Sequence, residues 1–435
     1  MFKSFCNEKW LYYWGRRSSK FIENEFVLYR IMEGTKLFII EKVFVMKEFF
    51  KQEVIHNVIN DTVKKILLNK IPSNDLLSVC LLFNELSSIN SEFNKINIQI
   101  LSRVMNPKNK AINGISFYSG LPLLNFCLYN VNGEVQLVKD MNKVIIESVI
   151  KSNNYKKFSM KNLELVNGLT GIARYLLHFK RNDESLRLLK DILNRIISIY
   201  HDFNSINSIK NSEIASSVNK NFWGEYVDIG ISHGISGLMS LLAICGQQGV
   251  EVANQKTALK TLINFLRQIK YDDNTWPEKI ILSEGNNYNK DNTYRPSWCY
   301  GNSGIASTLY LSGRYLGEST VKTLALNALL CNAPSQRKEN INFDSPMFCH
   351  GYAGYMHIAL KLYQEEKDVR LLEIIKFCLS KILSYYDDSL PMGFKSDDAP
   401  IVDLSFVTGI VSILLPLLDL LKSDTNKWDS IFLLS

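Results

Sequence analysis

No run of this 435-residue sequence is long and apolar enough to span a bilayer. The most apolar stretch, Gly409 to Leu421, covers about 13 residues and contains Pro416 and Asp419, whereas a spanning helix needs roughly 20. The N-terminal stretch Met1 to Phe21 is basic and aromatic and lacks the apolar core of a secretory signal, so the chain is expected to be cytoplasmic. Concentrated positive charge is also missing. The net charge of +7 is spread through runs of mixed sign, which speaks against a nucleic-acid partner. Cysteine is sparse: eight thiols in a chain of this length do not make a disulfide framework in a reducing compartment. Six of them, Cys6, Cys80, Cys127, Cys245, Cys331 and Cys378, stand singly among apolar residues and read as core thiols.

What the sequence does contain is 46% apolar and 21% charged residues, enough to bury a large core, and an internal repeat. Three segments, Ser232-His233-Gly234, Trp298-Cys299-Tyr300-Gly301 and Phe348-Cys349-His350-Gly351, each end in Gly-x-x-Gly and run into an apolar stretch. Aligned on the second glycine, the repeat recurs at Gly120, Gly171, Gly237, Gly304, Gly354 and Gly409, at intervals of 50 to 67 residues. In this alignment Phe117 and Phe406 replace the first glycine of the first and last units. Leu238, Leu241, Leu242 and Cys245 show the i, i+3, i+4, i+7 spacing of a buried helix face. Between the apolar stretches lie amphipathic runs such as Leu186/Leu189/Leu193/Ile196, Ala258 to Ile269 and Leu371/Ile374/Ile375/Cys378.

An apolar inner helix followed by an amphipathic outer one makes an αα-hairpin, and hairpins in series make a solenoid or a closed ring. A degenerate inner helix at Leu76 to Leu86 and an outer-type helix at Lys47 to Asn69, able to cover the last inner helix near Gly409, favour closure. The expected fold is therefore all-α: an α/α toroid of about seven inner-outer hairpins over residues 46–435, preceded by a poorly defined segment, residues 1–45. Two longer intervals place insertions near 204–226 and 271–294, expected as long loops or a small lobe on one rim, with strand character at Lys279-Ile280-Ile281-Leu282. A cluster of Lys9, Trp10, Tyr12, Tyr13, Trp14, Arg16, Arg17 and Lys20 suits packing on the ring better than a membrane interface.

In a ring, residues just before these glycines line one rim, at helix N-termini. Cys299, Cys349 and His350 occupy that position in consecutive repeats and should converge, with His233 one repeat further round. Two thiolates and an imidazole are zinc-type ligands, and three protein ligands leave a fourth position open, the catalytic pattern. Helix N-termini favour thiolates there. His357 is read as packing or as support behind the site, and His56, His178 and His201 as structural.

At these motifs the chain resembles the lanthionine synthetase C (LanC) family of cyclases, from about Leu76 onwards. The resemblance implies an α/α toroid and one zinc ion per chain held by Cys299, Cys349 and His350. It further implies catalytic roles for His233, Arg295 and Tyr300, and for a carboxylate counted back from Gly168. That position holds Glu164 where the family usually has Asp. The implied reaction adds a peptide cysteine thiol to a dehydroalanine or dehydrobutyrine of a dehydrated lantibiotic precursor, closing a (methyl)lanthionine ring. The implied partners are that peptide, a dehydratase and an ABC transporter, with peripheral attachment at the inner face of the cell membrane. Two other readings are a zinc enzyme of prenyltransferase type, disfavoured by the adjacent Cys-His pair and the lack of an acid ligand, and a non-catalytic scaffold that binds glutathione or peptide thiols through zinc.

Overall fold

The computed structural model describes residues 52–435 apart from 107–111, 113, 157–159, 201–218, 222–223, 283–287, 291–295, 336–342, 344 and 423–426. Among the described residues fourteen helices of ten or more residues carry the fold: α1 (Gln52–Leu68), α2 (Leu76–Ile89), α3 (Glu92–Val104), α4 (Leu121–Asn132), α5 (Gln136–Lys151), α6 (Leu169–His178), α7 (Asp183–Tyr200), α8 (Ile235–Gln247), α9 (Gln255–Ile269), α10 (Asn302–Leu316), α11 (Ser319–Leu330), α12 (Tyr352–Glu366), α13 (Arg370–Ser384) and α14 (Ile410–Asp419).

Even-numbered helices form the inner wall. Each packs on the next, from α2 through α4, α6, α8, α10 and α12 to α14, and α14 returns to α2. The ring is thus closed. Each inner helix pairs with the outer helix that follows it in sequence, except that α14 pairs with α1. The expected helix at Lys47 to Asn69 therefore does supply the cover that the last inner helix lacks. The division of labour follows composition. Helix α10 is buried continuously from Asn302 to Gly313, as an inner helix with neighbours on all sides must be. In α7 the buried residues described are Ser185, Leu188, Leu189, Ile192, Leu193, Ile196 and Ile197, one stripe, with charged residues facing outward.

Six of the inner helices begin at a glycine N-cap with extended backbone: Gly120, Gly168, Gly234, Gly301, Gly351 and Gly409. This corrects the alignment read from sequence. Gly120 and Gly409 match the first glycine of Gly-x-x-Gly, so the first and last turns shift by three residues against the others. The second glycine answers a different need. At Gly237 an added Cβ would run into the Ile231 carbonyl, and at Gly354 into that of Phe348. The equivalent positions in the first and last units, Leu123 and Ser412, carry side chains; Ser412 Oγ accepts the backbone N–H of Phe348 at 3.2 Å.

The two expected insertions contribute a four-stranded antiparallel sheet of β1 (Asn219–Asn221), β2 (Gly224–Asp228), β3 (Lys279–Leu282) and β4 (Tyr288–Lys290). Strand β3 is the expected Lys279–Leu282 segment, and β2 leads directly into the turn before α8. A second short hairpin pairs β5 (Lys395–Ser396) with β6 (Ala399–Pro400). Among the described residues no helix is long and apolar enough to cross a membrane. Residues 1–45 with their basic aromatic cluster, Cys6, His201 and Arg295 lie outside the described residues.

Candidate metal centre and its flanking acid pair

The turns that precede the inner helices are tied to one another by main chain. Leu165 N–H donates to Ser232 O at 3.0 Å, Ile231 N–H to Cys299 O at 3.0 Å, Cys299 N–H to Cys349 O at 3.4 Å and Cys349 N–H to Val407 O at 3.2 Å. These bonds, with a second one from Ser232 N–H to Cys299 O at 3.5 Å, set neighbouring turns side by side along the rim. The corrected register makes Tyr118, Val166, Ser232, Cys299, Cys349 and Val407 equivalent, two places before the N-cap glycine. Cys299 and Cys349, 50 residues apart in sequence, are thus adjacent in space because their own backbones are bonded.

The ligand atoms of Cys299, Cys349 and His350 all lie within 4.8 Å of one another. Cys299 Sγ is 2.8 Å from His350 Nδ1 and 3.8 Å from Ser297 Oγ. Both cysteines are buried and His350 is exposed, so the cluster reaches from the buried rim to its surface. Tetrahedral zinc with these donors holds them about 3.5–3.8 Å apart, from bonds of ~2.3 Å to sulfur and ~2.0–2.1 Å to nitrogen. The donor set and its spacing fit such an ion with small side-chain adjustments. Contact with the Cys349 thiol, and then the His350 ring, brings Cys299 down to about 5 against the opposing effect of burial; the Cys299 thiolate in turn raises Cys349. One thiol of the pair is thus readily ionised. Cys80, Cys127, Cys245 and Cys378 are buried and raised by that burial, as expected of inert core thiols.

One turn along the ring, His233 Nδ1–H donates to Glu164 Oε2 at 2.6 Å. Glu164 is itself anchored: Oε2 accepts from Val166 N–H at 2.8 Å, and Oε1 accepts from Asn167 N–H. The longer acid therefore folds back over its own turn and still reaches the histidine. Its hydrogen bond raises the His233 pKa, with burial opposing and the charges of Glu164, Asp228 and Cys299 adding. With Nδ1 held, Nε2 is the nitrogen left to exchange a proton. The Tyr300 ring lies 5.8 Å from that of His233. Burial, then the charges of Asp228 and Cys299, push the Tyr300 hydroxyl well up, which keeps it a hydrogen-bond donor.

Asp228 is a residue that sequence reading passed over. It ends β2, is 7% exposed, and its Oδ1 accepts from Gly230 N–H at 2.9 Å. Burial raises its carboxyl to about 7, with the Gly230 N–H and the charge of His233 pulling the other way. Its signal was available as an acid six places before an N-cap glycine, where the last turn has Asp403. Ser232, whose Oγ–H donates to Cys299 O at 3.3 Å, braces the same turn.

His357 is buried behind the rim, its ring 6.0 Å from that of Phe348, and lies 3.2 Å from Asp429 Oδ2 through Nε2 and 3.3 Å from Asp419 Oδ2 through Nδ1. His178 bonds Ser430 Oγ at 3.1 Å. Both are structural, as expected.

Comparison with known proteins agrees with this architecture. Residues 73–433 match the family model for lanthionine synthetase C-like protein. The nisin biosynthesis protein NisC of Lactococcus lactis subsp. lactis is 24% identical over 299 residues, 64% of this chain and 70% of that protein. The solved structure of nisin cyclase superposes with a TM-score of 0.68 at 19% identity, covering 88% of this chain and 98% of that one. A family model spanning most of the ring, together with the rim motifs, leads to one conclusion: the chain belongs to the lanthionine synthetase C-like family.

Proposed function

We propose that this chain, a lanthionine synthetase of the C type, is zinc-dependent and closes (methyl)lanthionine rings in a dehydrated lantibiotic precursor, with one zinc held by Cys299, Cys349 and His350. The observation that carries this reading is the juxtaposition on one rim of a Cys-Cys-His donor set and a carboxylate-held histidine. When bound, zinc supplies Lewis acidity that ionises a peptide thiol at neutral pH.

The reaction forms one C–S bond between the substrate sulfur and the β-carbon of the dehydroamino acid. The π pair moves to the α-carbon and its carbonyl, giving an enolate, while the thiol proton leaves to solvent or base. A proton must then reach the α-carbon, and His233, protonated at Nε2 and held through Nδ1 by Glu164, is placed to deliver it. Such general acids contribute about 10²–10⁴ in rate. Tyr300, kept protonated, donates a hydrogen bond towards the developing oxyanion. Arg295 is assigned to the same task from the family motif. A free thiol with pKa ~8.5 is about 3% ionised at pH 7, so ionisation alone gains at most ~30-fold and the rim must supply the rest by orientation.

A mere thiol-binding scaffold would have no use for the histidine and glutamate pair beside the donors. Because the substrate arrives dehydrated, a dehydratase acts before this protein, and we assign that enzyme and an exporting ABC transporter as partners at the inner face of the membrane. The test is to incubate zinc-loaded protein with a dehydrated precursor and alkylate the remaining thiols. Cyclisation conserves mass, so success reads as thiols that no longer take up the alkylating agent. Full retention of alkylable thiols, with zinc bound, would sink the proposal.

A further inference from the structure

We infer that Phe432 is a positioning residue for the metal centre, acting from the axis of the ring through Trp298 and Phe348. This rests on the reading of Cys299, Cys349 and His350 as ligands, and adds to it a part of the chain that no motif marks.

The residue three places before each N-cap glycine is apolar in all six turns: Phe117, Leu165, Ile231, Trp298, Phe348 and Phe406, none more than 3% exposed. They form a collar one residue behind the rim positions that include Cys299 and Cys349. The one-turn helix Trp428–Phe432 places Phe432, fully buried, against this collar. Its ring centroid lies 4.2 Å from that of Phe348, 5.0 Å from Trp298 and 5.6 Å from Phe406, and 6.0 Å from Tyr118 of the rim level. Two hydrogen bonds fix its backbone from the same turns. Trp298 Nε1–H donates to Phe432 O at 3.2 Å and Tyr118 Oη–H to Ile431 O at 2.9 Å.

The helix is itself pinned by buried charge. Asp429 Oδ2 meets Lys361 Nζ at 2.9 Å and His357 Nε2 at 3.2 Å, and Trp428 Nε1–H donates to Asp419 Oδ2 at 3.0 Å. Phe432 is thus held by α12 and α14 and pressed on the residues that directly precede both cysteines. The Cys299 N–H to Cys349 O bond, at 3.4 Å, joins the two turns that carry Trp298 and Phe348. Phe432 spans the two turns of that step and, through Phe406, reaches the turn beyond it. Interiors pack without slack, so withdrawing this ring lets Trp298 and Phe348 shift, and the two sulfurs shift with them.

The test uses the full chain loaded with Co²⁺ in place of zinc, as wild type, Phe432→Leu, Phe432→Ala and, for comparison, Leu262→Ala, which empties an equally buried site on α9. Read-outs are the cobalt d–d absorption and metal loss to a competing chelator. The expected result is a weaker hold in Phe432→Ala by about 10–100-fold, the range for residues that orient ligands, an intermediate effect in Phe432→Leu, and altered d–d bands in both. Leu262→Ala should lower Tm and leave the spectrum and metal affinity as in wild type. If Phe432→Leu folds and matches wild type in spectrum and affinity, or if Leu262→Ala weakens metal as much as Phe432→Ala, the positioning role is wrong while the ligand assignment stands. Wild type that takes up no metal would overturn both.

Discussion

The turn before α6 and the turn before α12 are built alike and differ in what they do. Both end at an extended glycine N-cap, Gly168 and Gly351, and both give a backbone N–H to the next turn along, from Leu165 three places before its glycine and from Cys349 two places before. At the equivalent position one holds Val166 and the other Cys349. In the next position the first has Asn167 and the second His350. The scaffold therefore fixes where a side chain will stand, and the identity of that side chain alone decides whether a turn packs or reacts. A repeated fold can keep its geometry everywhere while confining its metal donors to two consecutive turns and the histidine with its glutamate to the two before them.

That contrast is open to direct attack. The largest effect is expected from Cys349→Ala, which makes the reactive turn resemble the quiet one: metal content should fall from about one per chain to near zero, a loss beyond the 10–100-fold typical of supporting residues, read by elemental mass spectrometry. His233→Ala should keep the metal and lower the rate of ring closure by roughly 10²–10⁴, measured with a dehydrated peptide under single-turnover conditions. An unchanged rate would remove His233 from the role of acid.

Glu164→Gln should act more gently, through pH. The carboxylate raises the His233 pKa, so the imidazolium outlasts its ordinary pKa of about 6.5. The stability of the pair is fully present below that unfolded value and is lost as pH rises through the higher folded one. Because the protonated ring is the proposed acid, the alkaline limb of activity should move to lower pH in the variant. A limb that stays in place would separate the glutamate from the histidine. Smallest of all should be Val166→Cys, which adds a thiol to the quiet turn. Its neighbours at that level are Tyr118 and Ser232, so metal should remain at one per chain and stability should change by less than about 1.5 kcal/mol, read by urea denaturation.

Much of this was legible in the sequence, and for physical reasons. The alternation of apolar and amphipathic helices announces hairpins, and the outer-type helix before α2 announces closure, because an uncovered apolar helix at one end needs a partner from the other. The register of Cys299, Cys349 and His350 follows from their shared Gly-x-x-Gly motif. The first and last turns were placed three residues out because a single glycine does not reveal which demand it meets, the N-cap or the close approach to a carbonyl. Leu123 and Ser412 show that the second demand can lapse. Phe432 left no trace at all: it lies 134 residues from Trp298, outside any repeat, and only closure of the ring brings them together. Asp228 was obscured by the strand that precedes it, which interrupts the repeat where its signal would have been read.

The main-chain bonds that link one rim turn to the next carry a consequence for descent and for engineering. Because the thiol-bearing positions are located by peptide groups, which every residue type possesses, mutation can wander widely around them without moving them. A relative at 24% identity can therefore keep the same ring. By the same logic each turn is a socket with a common fitting, and a chemist wishing to install a second centre would exchange the occupants of adjacent sockets and leave the frame untouched.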